Sequence, residues 1–275
     1  MKLPFAGRPH LPTSSQRLSR MPDDGSVLAP EVALFGSRVA EALARTLDTE
    51  LVGVYFVGSV ALGGYVPGES DVDMVAVSNA ALSDPQRRSV ASAVVEASAA
   101  CPTRGLELTL YRRDIAGSRP AGADFEVNAN GGPRMPTAVH MHSTVEPGFW
   151  YVLDRAIAHR SGVVISGPPA REIFADAPRG KLLDAMSESM AWHRAHEKAT
   201  LYSVLNACRA WRFAAADELG SKLEGAAWAR ARWPDAGLID SAVALRRGQD
   251  ATLDEPAVDA LLFAVAAQLT DAAEA

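Results

Sequence analysis

The sequence predicts an α/β (α+β) domain built on a small mixed sheet, followed by an all-α helical bundle domain. Three observations lead to this prediction. Two apolar strands flank a polar turn within residues 55–77, an alternating strand follows at 105–111, and the second half of the chain shows helical periodicity. We expect a flexible leader at 1–28, the sheet-containing domain at 29–148 and the helical domain at 149–275.

The composition narrows the class of function. The chain has 275 residues, 48% of them apolar, which is enough for one large core or two ordinary ones. The net charge is −6 and no run of Lys or Arg occurs. This balance argues against a nucleic-acid partner and suits a small cationic one. Because no stretch of about 18 apolar residues is present, we expect no membrane span.

Cysteine usage and the N-terminal segment predict a cytoplasmic protein. Cys101 and Cys208 are far apart and lack metal-ligand spacing, so we expect buried thiols in a reducing compartment. Residues 1–25 are rich in Pro, Ser and Arg and lack the apolar stretch of a signal peptide.

Two helices are expected around the first strands. The stretch 30–48 has helical spacing of its apolar side chains, which are Val32, Phe35, Val39, Leu43 and Leu47. Asp84 and Pro85 predict the start of the second helix, as N-cap and first-turn proline, and it continues to about Ala99.

The second half of the chain predicts a bundle of helices with short connections. Turn signals containing Gly and Pro separate candidate helices at 149–161, 181–196, 200–217, 222–233, 238–247 and 256–272. Ser221 and Glu224 fit a capping box at the start of one of them. This pattern is typical of an up-down helical bundle.

The strongest functional signal is Gly58-Ser59 followed by Ser70-Asp71-Val72-Asp73. Side chains alternate along a strand, so Asp71 and Asp73 point the same way. Two carboxylates supply hard oxygen ligands for Mg²⁺, while a Gly-Ser turn lets backbone N–H groups and a hydroxyl approach phosphate oxygens. An ordinary hairpin with acidic turn residues is the alternative, but the combination favours a metal-bound triphosphate site.

Glu107 is a further acidic candidate, on the strand GLELTLY at 105–111. Leu106, Leu108 and Leu110 form one face, which leaves Glu107 on the other. It either points outward from a half-exposed strand or lies beside Asp71 and Asp73 in the sheet.

Residues 112–148 show no regular pattern, because Gly131-Gly132-Pro133 and Met135-Pro136 interrupt it. His140 and His142 could share a strand face, but no third ligand stands at useful spacing. We therefore expect ordinary surface or core histidines there.

The chain resembles the aminoglycoside adenylyltransferases of the streptomycin/spectinomycin type, members of the nucleotidyltransferase superfamily with a C-terminal helical domain. The resemblance covers roughly residues 30–250 and includes the motifs above. It continues through GVVISGPPAREIF at 162–174, VLNACRAW at 204–211 and SKLEGAAWA at 221–229. It implies transfer of AMP from ATP to a hydroxyl of an aminoglycoside or aminocyclitol, with Mg²⁺ as cofactor, and thus antibiotic resistance.

The resemblance also implies roles for individual residues. Asp71 and Asp73 would bind Mg²⁺ together with Glu107, which would also be the catalytic base. The residues implied in nucleotide binding are Gly58, Ser59, Ser70, Arg209 and Lys222. For Arg209 and Lys222, the alternative is a surface charge on an amphipathic helix.

Two departures from the family concern the acceptor. The family has a tryptophan soon after the third strand, where this chain has FEVNANGGPRM. The family also has an acidic residue at the start of the helix that carries Arg209, where this chain has Ala199. Glu197, two residues earlier, is the candidate substitute for binding substrate; the alternative is a solvated loop charge. Spectinomycin, another aminocyclitol or a non-antibiotic hydroxyl compound remain open as acceptors, and streptomycin is the least supported.

We therefore predict a monomeric adenylyltransferase that uses Mg²⁺ and ATP. Two alternatives remain: a nucleotidyltransferase acting on a macromolecular acceptor, and a nucleotide-binding regulator without turnover. Glu107 argues against the regulator, because binding ATP and Mg²⁺ alone does not require a base.

Overall fold

The computed structural model describes residues 28–143 and 147–274. The expected leader, 1–28, lies outside these residues except for its last position. The strands are β1 Leu51–Phe56, β2 Val72–Ser78, β3 Leu106–Arg112, β4 Val127–Gly132, β5 Met135–His140 and β6 Val163–Ser166. The helices are α1 Pro30–Leu47, α2 Gly58–Ala61, α3 Asp84–Ser98, α4 Arg113–Ala116, α5 Gly148–Ser161, α6 Ala170–Ile173, α7 Arg179–His196, α8 Leu201–Ala216, α9 Lys222–Arg230, α10 Ala236–Arg246 and α11 Glu255–Glu274.

The strands form one mixed sheet in the order β5-β4-β3-β2-β1-β6. Only β2 and β3 are parallel; the other neighbouring pairs are antiparallel. The helix α3 makes the crossover that a parallel pair requires. The expected small mixed sheet followed by helices is confirmed.

The two faces of the sheet pack against different helices. On one face, Leu106, Leu108 and Leu110 join a core with α1 and α3. All five apolar residues predicted to face inward from α1 are buried there. On the other face, Tyr55 and Tyr111 pack with residues of α5 and α6. Asp73 and Glu107 belong to this second face, at the end of the sheet that the helices leave open.

The helices α7 to α11 form a third apolar core, to which α5 also contributes. We call α7–α11 the helical region. By length and composition alone, α11 is the one helix among the described residues that could span a membrane, a possibility the sequence analysis did not foresee. Its side chains Val258, Leu261, Leu262, Val265 and Leu269 are buried in the helical core, as expected of a bundle helix.

The structure corrects three expectations. The N-cap of α3 is Ser83, not Asp84; Ser83 and Gln86 form a capping box. Residues 112–148, which showed no pattern, contain α4 and the hairpin of β4 and β5. The asparagines of β4 lie on the face that lines a cleft. The opposite face lies close to α3, and a Cβ on Gly131 there would come 2.8 Å from Oγ of Ser98.

The third correction concerns the domain boundary expected between 148 and 149. Strand β6 follows that point and pairs with β1, so the sheet requires residues beyond it. We propose instead that the boundary lies within 167–178, between β6 and α7.

Candidate active site

Three carboxylates converge at the open end of the sheet. The register of the parallel strands pairs Asp73 directly with Glu107. Asp71 precedes Asp73 by two residues, so its side chain points to the same face. One oxygen from each carboxylate lies within 4.8 Å of the others. The structure thus brings together the three acidic residues that the sequence analysis selected.

Burial and like charge raise the pKa values in this cluster. Burial first, and then repulsion from Asp71 and Glu107, hold the pKa of Asp73 well above its usual range. Burial and repulsion from Asp71 raise the pKa of Glu107 to about 7. The Glu107 side chain is open to water in the cleft but enclosed by protein elsewhere, which explains a raised pKa in an accessible group. A divalent cation would relieve this repulsion, and the donor set fits Mg²⁺.

The turn after β1 lies against Asp73. Gly58 has a φ of 53°, and a Cβ atom there would lie 1.9 Å from Oδ2 of Asp73, so only glycine fits. The N–H of Ser59 donates to the same oxygen at 3.3 Å. The hydroxyl oxygen of Ser59 is buried and has no hydrogen-bond partner in the part of the chain that the structure describes. Such a hydroxyl is suited to a phosphate oxygen.

Ser70 has a different environment from the one expected. It is fully buried, and its Oγ accepts hydrogen bonds from the N–H of Val66 at 2.8 Å and from Nη2 of Arg246 at 2.6 Å. Arg246 also donates through Nη1 to the carbonyl oxygen of Glu69 at 3.1 Å. These bonds connect the segment before Asp71 to the end of α10. Ser70 therefore positions this segment and, in this arrangement, presents no open face to a phosphate.

Lys222 reaches the cleft from the start of α9. Ser221 caps this helix: its hydroxyl accepts from the N–H of Glu224 at 3.2 Å, and Oε2 of Glu224 accepts from the N–H of Ser221 at 2.7 Å. The predicted capping box is confirmed. Nζ of Lys222 lies 4.9 Å from the centre of the Tyr202 ring. A cation–π contact of this kind helps to hold the ammonium group within the cleft.

Arg209 reaches the same cleft from α8. The helices α8 and α9 can approach closely because Gly225 has no side chain. A Cβ there would lie 2.7 Å from Cα of Arg209. Burial lowers the pKa of Lys222 and that of Arg209, while Asp73 acts in the opposite direction on both. The two cations are thus partly desolvated, which strengthens their attraction for an anion.

A fourth carboxylate in the cleft, Asp154 of α5, was missed by the sequence analysis. Burial raises its pKa to about 6, against the opposing effects of Arg209, Arg155 and Lys222. Its charge contributes in turn to the raised pKa of Glu107. The only local signal was an acidic residue at the end of the otherwise apolar run FWYVLD. This signal does not reveal which side of α5 turns toward the cleft.

The other end of the cleft lies between α5 and α7. Glu197 is about a third exposed, and its Oε2 lies 3.2 Å from Nδ1 of His193, which is fully buried. The Trp150 ring meets the His193 ring edge to face, with 5.8 Å between centres. An aromatic wall is therefore present, although it comes from α5 and not from the segment after β3. Ala199 is exposed and does not line the cleft.

Both candidate histidines of the irregular segment were also located. His140 lines the cleft and His142 is exposed. Among residues 28–143 and 147–274, neither belongs to a cluster of metal-type ligands.

Together these residues line a cleft of about 420 Å³ between the sheet and the helical region. Its sheet side carries Asp71, Asp73 and Glu107, and its helical side carries Arg209 and Lys222. Opposed acidic and basic walls can hold a cation and a polyphosphate at the same time. A sheet-borne acidic cluster facing cations from a helical region is the arrangement that the sequence motifs predicted for a nucleotidyltransferase.

Comparisons with known proteins agree with this class. Residues 172–268 match the family model described as aminoglycoside adenylyltransferase, C-terminal domain. The aminoglycoside (3'')(9) adenylyltransferases of Shigella flexneri and Escherichia coli are each 26% identical over 213 residues, which cover 74% of this chain and 80% of each relative. The crystal structure of spectinomycin adenyltransferase AAD(9) from Enterococcus faecialis with ATP and spectinomycin superposes with a TM-score of 0.65, at 18% identity, over 86% of this chain and 98% of that one.

These matches confirm the predicted resemblance to the aminoglycoside (3'')(9) adenylyltransferases, and the enzyme class that they support is a nucleotidyltransferase. The roles expected for individual residues and the identity of the acceptor remain predictions.

Proposed function

We propose that this enzyme transfers AMP from ATP to a hydroxyl group of spectinomycin or a similar aminocyclitol. The convergence of Asp71, Asp73 and Glu107 opposite Lys222 and Arg209 in one cleft is the observation that supports it most directly. Its relatives carry this activity in their names, and the solved relative was crystallised with ATP and spectinomycin. The biological consequence would be resistance to the antibiotic, in the cytoplasm.

The cofactor that suits this donor set is Mg²⁺. Asp71, Asp73 and Glu107 would hold it, because each offers a carboxylate oxygen within 4.8 Å of the others. When bound, Mg²⁺ neutralises charge on the transferring phosphoryl group and on the leaving pyrophosphate. The hydroxyl of Ser59 and the turn at Gly58 would lie against phosphate oxygens.

The protein's own groups account for the proton and for the leaving group. Glu107 accepts the proton of the acceptor hydroxyl while the hydroxyl oxygen attacks the α-phosphorus of ATP. The new O–P bond forms while the bond to the β-phosphate bridging oxygen breaks, and pyrophosphate leaves with the electron pair. Lys222 and Arg209 compensate the charge that develops on pyrophosphate. Glu107 can take this role because its carboxylate lies beside Asp71 and Asp73 and is open to the cleft.

An aminocyclitol with ammonium groups fits the other end of the cleft. Glu197 provides negative charge there, and Trp150 provides an aromatic surface. Streptomycin is less favoured, because the tryptophan expected after β3 is absent and Ala199 stands at the aligned acidic position. We further propose that the enzyme acts as a monomer, since both walls of the cleft come from one chain.

A panel of acceptors tests the proposal. Purified enzyme is incubated with ATP, Mg²⁺ and one acceptor, and two signals are recorded: pyrophosphate release and a mass gain of one AMP on the acceptor. Both signals with spectinomycin and neither with streptomycin are the expected result. ATP binding without pyrophosphate release under any acceptor would support the regulator instead. AMP found on tRNA or protein and on no aminocyclitol would support a macromolecular acceptor.

A further inference from the structure

A chain of polar side chains connects the two ends of the cleft. Arg209 Nη2 donates to Oδ1 of Asn206 at 3.4 Å, and Nδ2 of Asn206 lies 3.0 Å from Nε2 of His193. Nδ1 of His193 then lies 3.2 Å from Oε2 of Glu197. All four side chains line the cleft. The nucleotide-binding cation is thus connected, through two buried residues, to the carboxylate at the acceptor end.

Hydrogen-bond chemistry gives this chain one direction. A guanidinium group only donates, so Asn206 turns its oxygen toward Arg209 and its amide nitrogen toward His193. Nε2 of His193 must then accept, which places the imidazole proton on Nδ1. The protonated Nδ1 is therefore the ring nitrogen nearer to Glu197. Burial, together with the nearby charges of Lys222 and Arg209, keeps the imidazole in this neutral form by lowering its pKa to about 4.

This arrangement orients the Glu197 carboxylate. Oε2 lies near His193 and 3.5 Å from the hydroxyl of Thr200. Oε1 makes no hydrogen bond or ion pair with any of the described residues, and the side chain is about a third exposed to the cleft. The contact with Nδ1 is too bent to count as a hydrogen bond, so a ligand that draws the carboxylate into line would strengthen it.

We propose that His193 is a positioning residue that holds Glu197 as the ammonium-binding group of the acceptor site and links it, through Asn206, to Arg209. The inference rests on the proposed function and identifies which part of the acceptor is recognised: a protonated amine near the attacking hydroxyl. ATP that engages Arg209 also fixes Asn206 and His193. The acceptor should therefore bind more tightly when the nucleotide is present.

Two substitutions at His193 test the contacts of its two ring nitrogens separately. His193→Gln retains an amide that reaches Asn206 but loses the contact with Glu197. His193→Asn retains a donor at the Nδ1 position but loses Asn206. We expect H193Q to raise KM for spectinomycin about tenfold, because the contact with the charged Glu197 can no longer tighten into a hydrogen bond when the acceptor binds. The affinity for ATP measured without spectinomycin should be unchanged, since only the coupling between the two ligands is lost. H193N should keep KM for spectinomycin closer to that of the wild type.

Coupling is measured by calorimetry of spectinomycin binding, with and without a non-hydrolysable ATP analogue and Mg²⁺. Wild-type enzyme should bind spectinomycin several-fold more tightly with the analogue, and both histidine variants should lose this difference. Glu197→Gln, at a residue outside the core, should raise KM as H193Q does and supplies the test if the histidine variants fail to fold. Glu188→Gln, an exposed carboxylate on α7, is the matched control.

The outcomes distinguish this inference from the proposed function. Wild-type enzyme that transfers no AMP to spectinomycin contradicts the proposed function. An active wild type, together with H193Q and E197Q enzymes whose KM for spectinomycin matches that of E188Q, overturns the inference alone. The inference is also overturned if the ATP analogue tightens spectinomycin binding in folded H193Q and H193N as much as in the wild type.

Discussion

Asp73 and Glu107 are paired residue to residue on the two parallel strands of the sheet. Backbone hydrogen bonds between β2 and β3 hold neighbouring strands about 4.8 Å apart, so the backbones that carry the two carboxylates cannot separate without breaking the ladder. A site built on paired strands is held more precisely than one built on loops. The geometry between the candidate metal ligand and the candidate base is therefore set by the sheet, independently of how the helical region is positioned.

Replacing the candidate base gives the first prediction. Glu107→Gln keeps the shape of the side chain but cannot accept the hydroxyl proton at neutral pH. We expect kcat for AMP transfer to fall by about 10²–10⁴-fold, while ATP still binds. Pyrophosphate release measures kcat, and calorimetry with ATP and Mg²⁺ measures ATP binding. Glu96→Gln, an exposed residue of α3 far from the cleft, serves as control. Turnover by E107Q at the rate of E96Q would remove Glu107 from the role of base.

Gly58 provides a second prediction, with a matched control in the same loop region. Gly58→Ala places a Cβ 1.9 Å from Oδ2 of Asp73 and strains a backbone with φ of 53°. Gly68→Ala imposes a similar strain, at φ of 79°, where no atom lies within 4 Å of the added Cβ. Both variants should lose about 1–3 kcal/mol of the free energy of unfolding. Only G58A should lose AMP transfer, because only it displaces Asp73.

Denaturant unfolding and pyrophosphate release measure the two effects separately. Equal activity in the two folded variants would show that the contact between Gly58 and Asp73 does not matter for catalysis.

Local patterns in the sequence were sufficient to select the candidates for the acidic cluster, although the pairing of Asp73 with Glu107 is a long-range contact. Asp71 and Asp73 share a strand face by alternation, and the strand of Glu107 has a continuous leucine face that fixes the direction of its other side chains. The start of α9 at Lys222 was also predictable from local sequence, because Ser221 and Glu224 identify its cap. In each case the information lies within a few residues of the feature.

The features that were missed depend on contacts distant in sequence. Arg246 and Arg247 are adjacent at the end of α10, yet only Arg246 is buried, because Ser70 lies 176 positions away and accepts its hydrogen bond. Asp154 faces the cleft because of how α5 packs between the sheet and the helical core. No local pattern reports the orientation of α5 about its axis. Strand β6 was missed because its pairing with β1 spans more than 100 residues.

The buried arginine leads to the third prediction. Arg246→Met removes the donors to Oγ of Ser70 and to the carbonyl oxygen of Glu69. We expect a loss of about 2–3 kcal/mol in the free energy of unfolding, since hydrogen bonds from a charged donor are lost at a buried site. KM for ATP should rise as well, because the segment before Asp71 is no longer held. Arg247→Met, at the exposed neighbour, is the control. Thermal unfolding that is the same for both variants would contradict the proposed clamp.

The fourth prediction concerns stability at acidic pH. His193 is fully buried, and burial with the charges of Lys222 and Arg209 lowers its pKa to about 4, from about 6.5 in an unfolded chain. Between these two values the unfolded state binds a proton that the folded state does not. Stability therefore falls as pH decreases through this range, and the contribution of His193 is fully present only above about pH 6.5.

The size of this effect can be isolated by comparison with a variant that does not titrate. From pH 7 to pH 5, His193 should account for a loss of about 2 kcal/mol in the free energy of unfolding. Wild-type protein should thus lose more stability over this interval than His193→Gln, whose amide stays neutral in both states. Urea unfolding of the two proteins at each pH gives the difference, with other titrating groups common to both. Parallel pH dependences would mean that His193 is protonated in the folded protein near pH 6, and its Nδ1 and Nε2 would then both donate. The direction of the hydrogen bonds from Arg209 through Asn206 to His193 would have to be redrawn, since a charged imidazole cannot accept from Asn206.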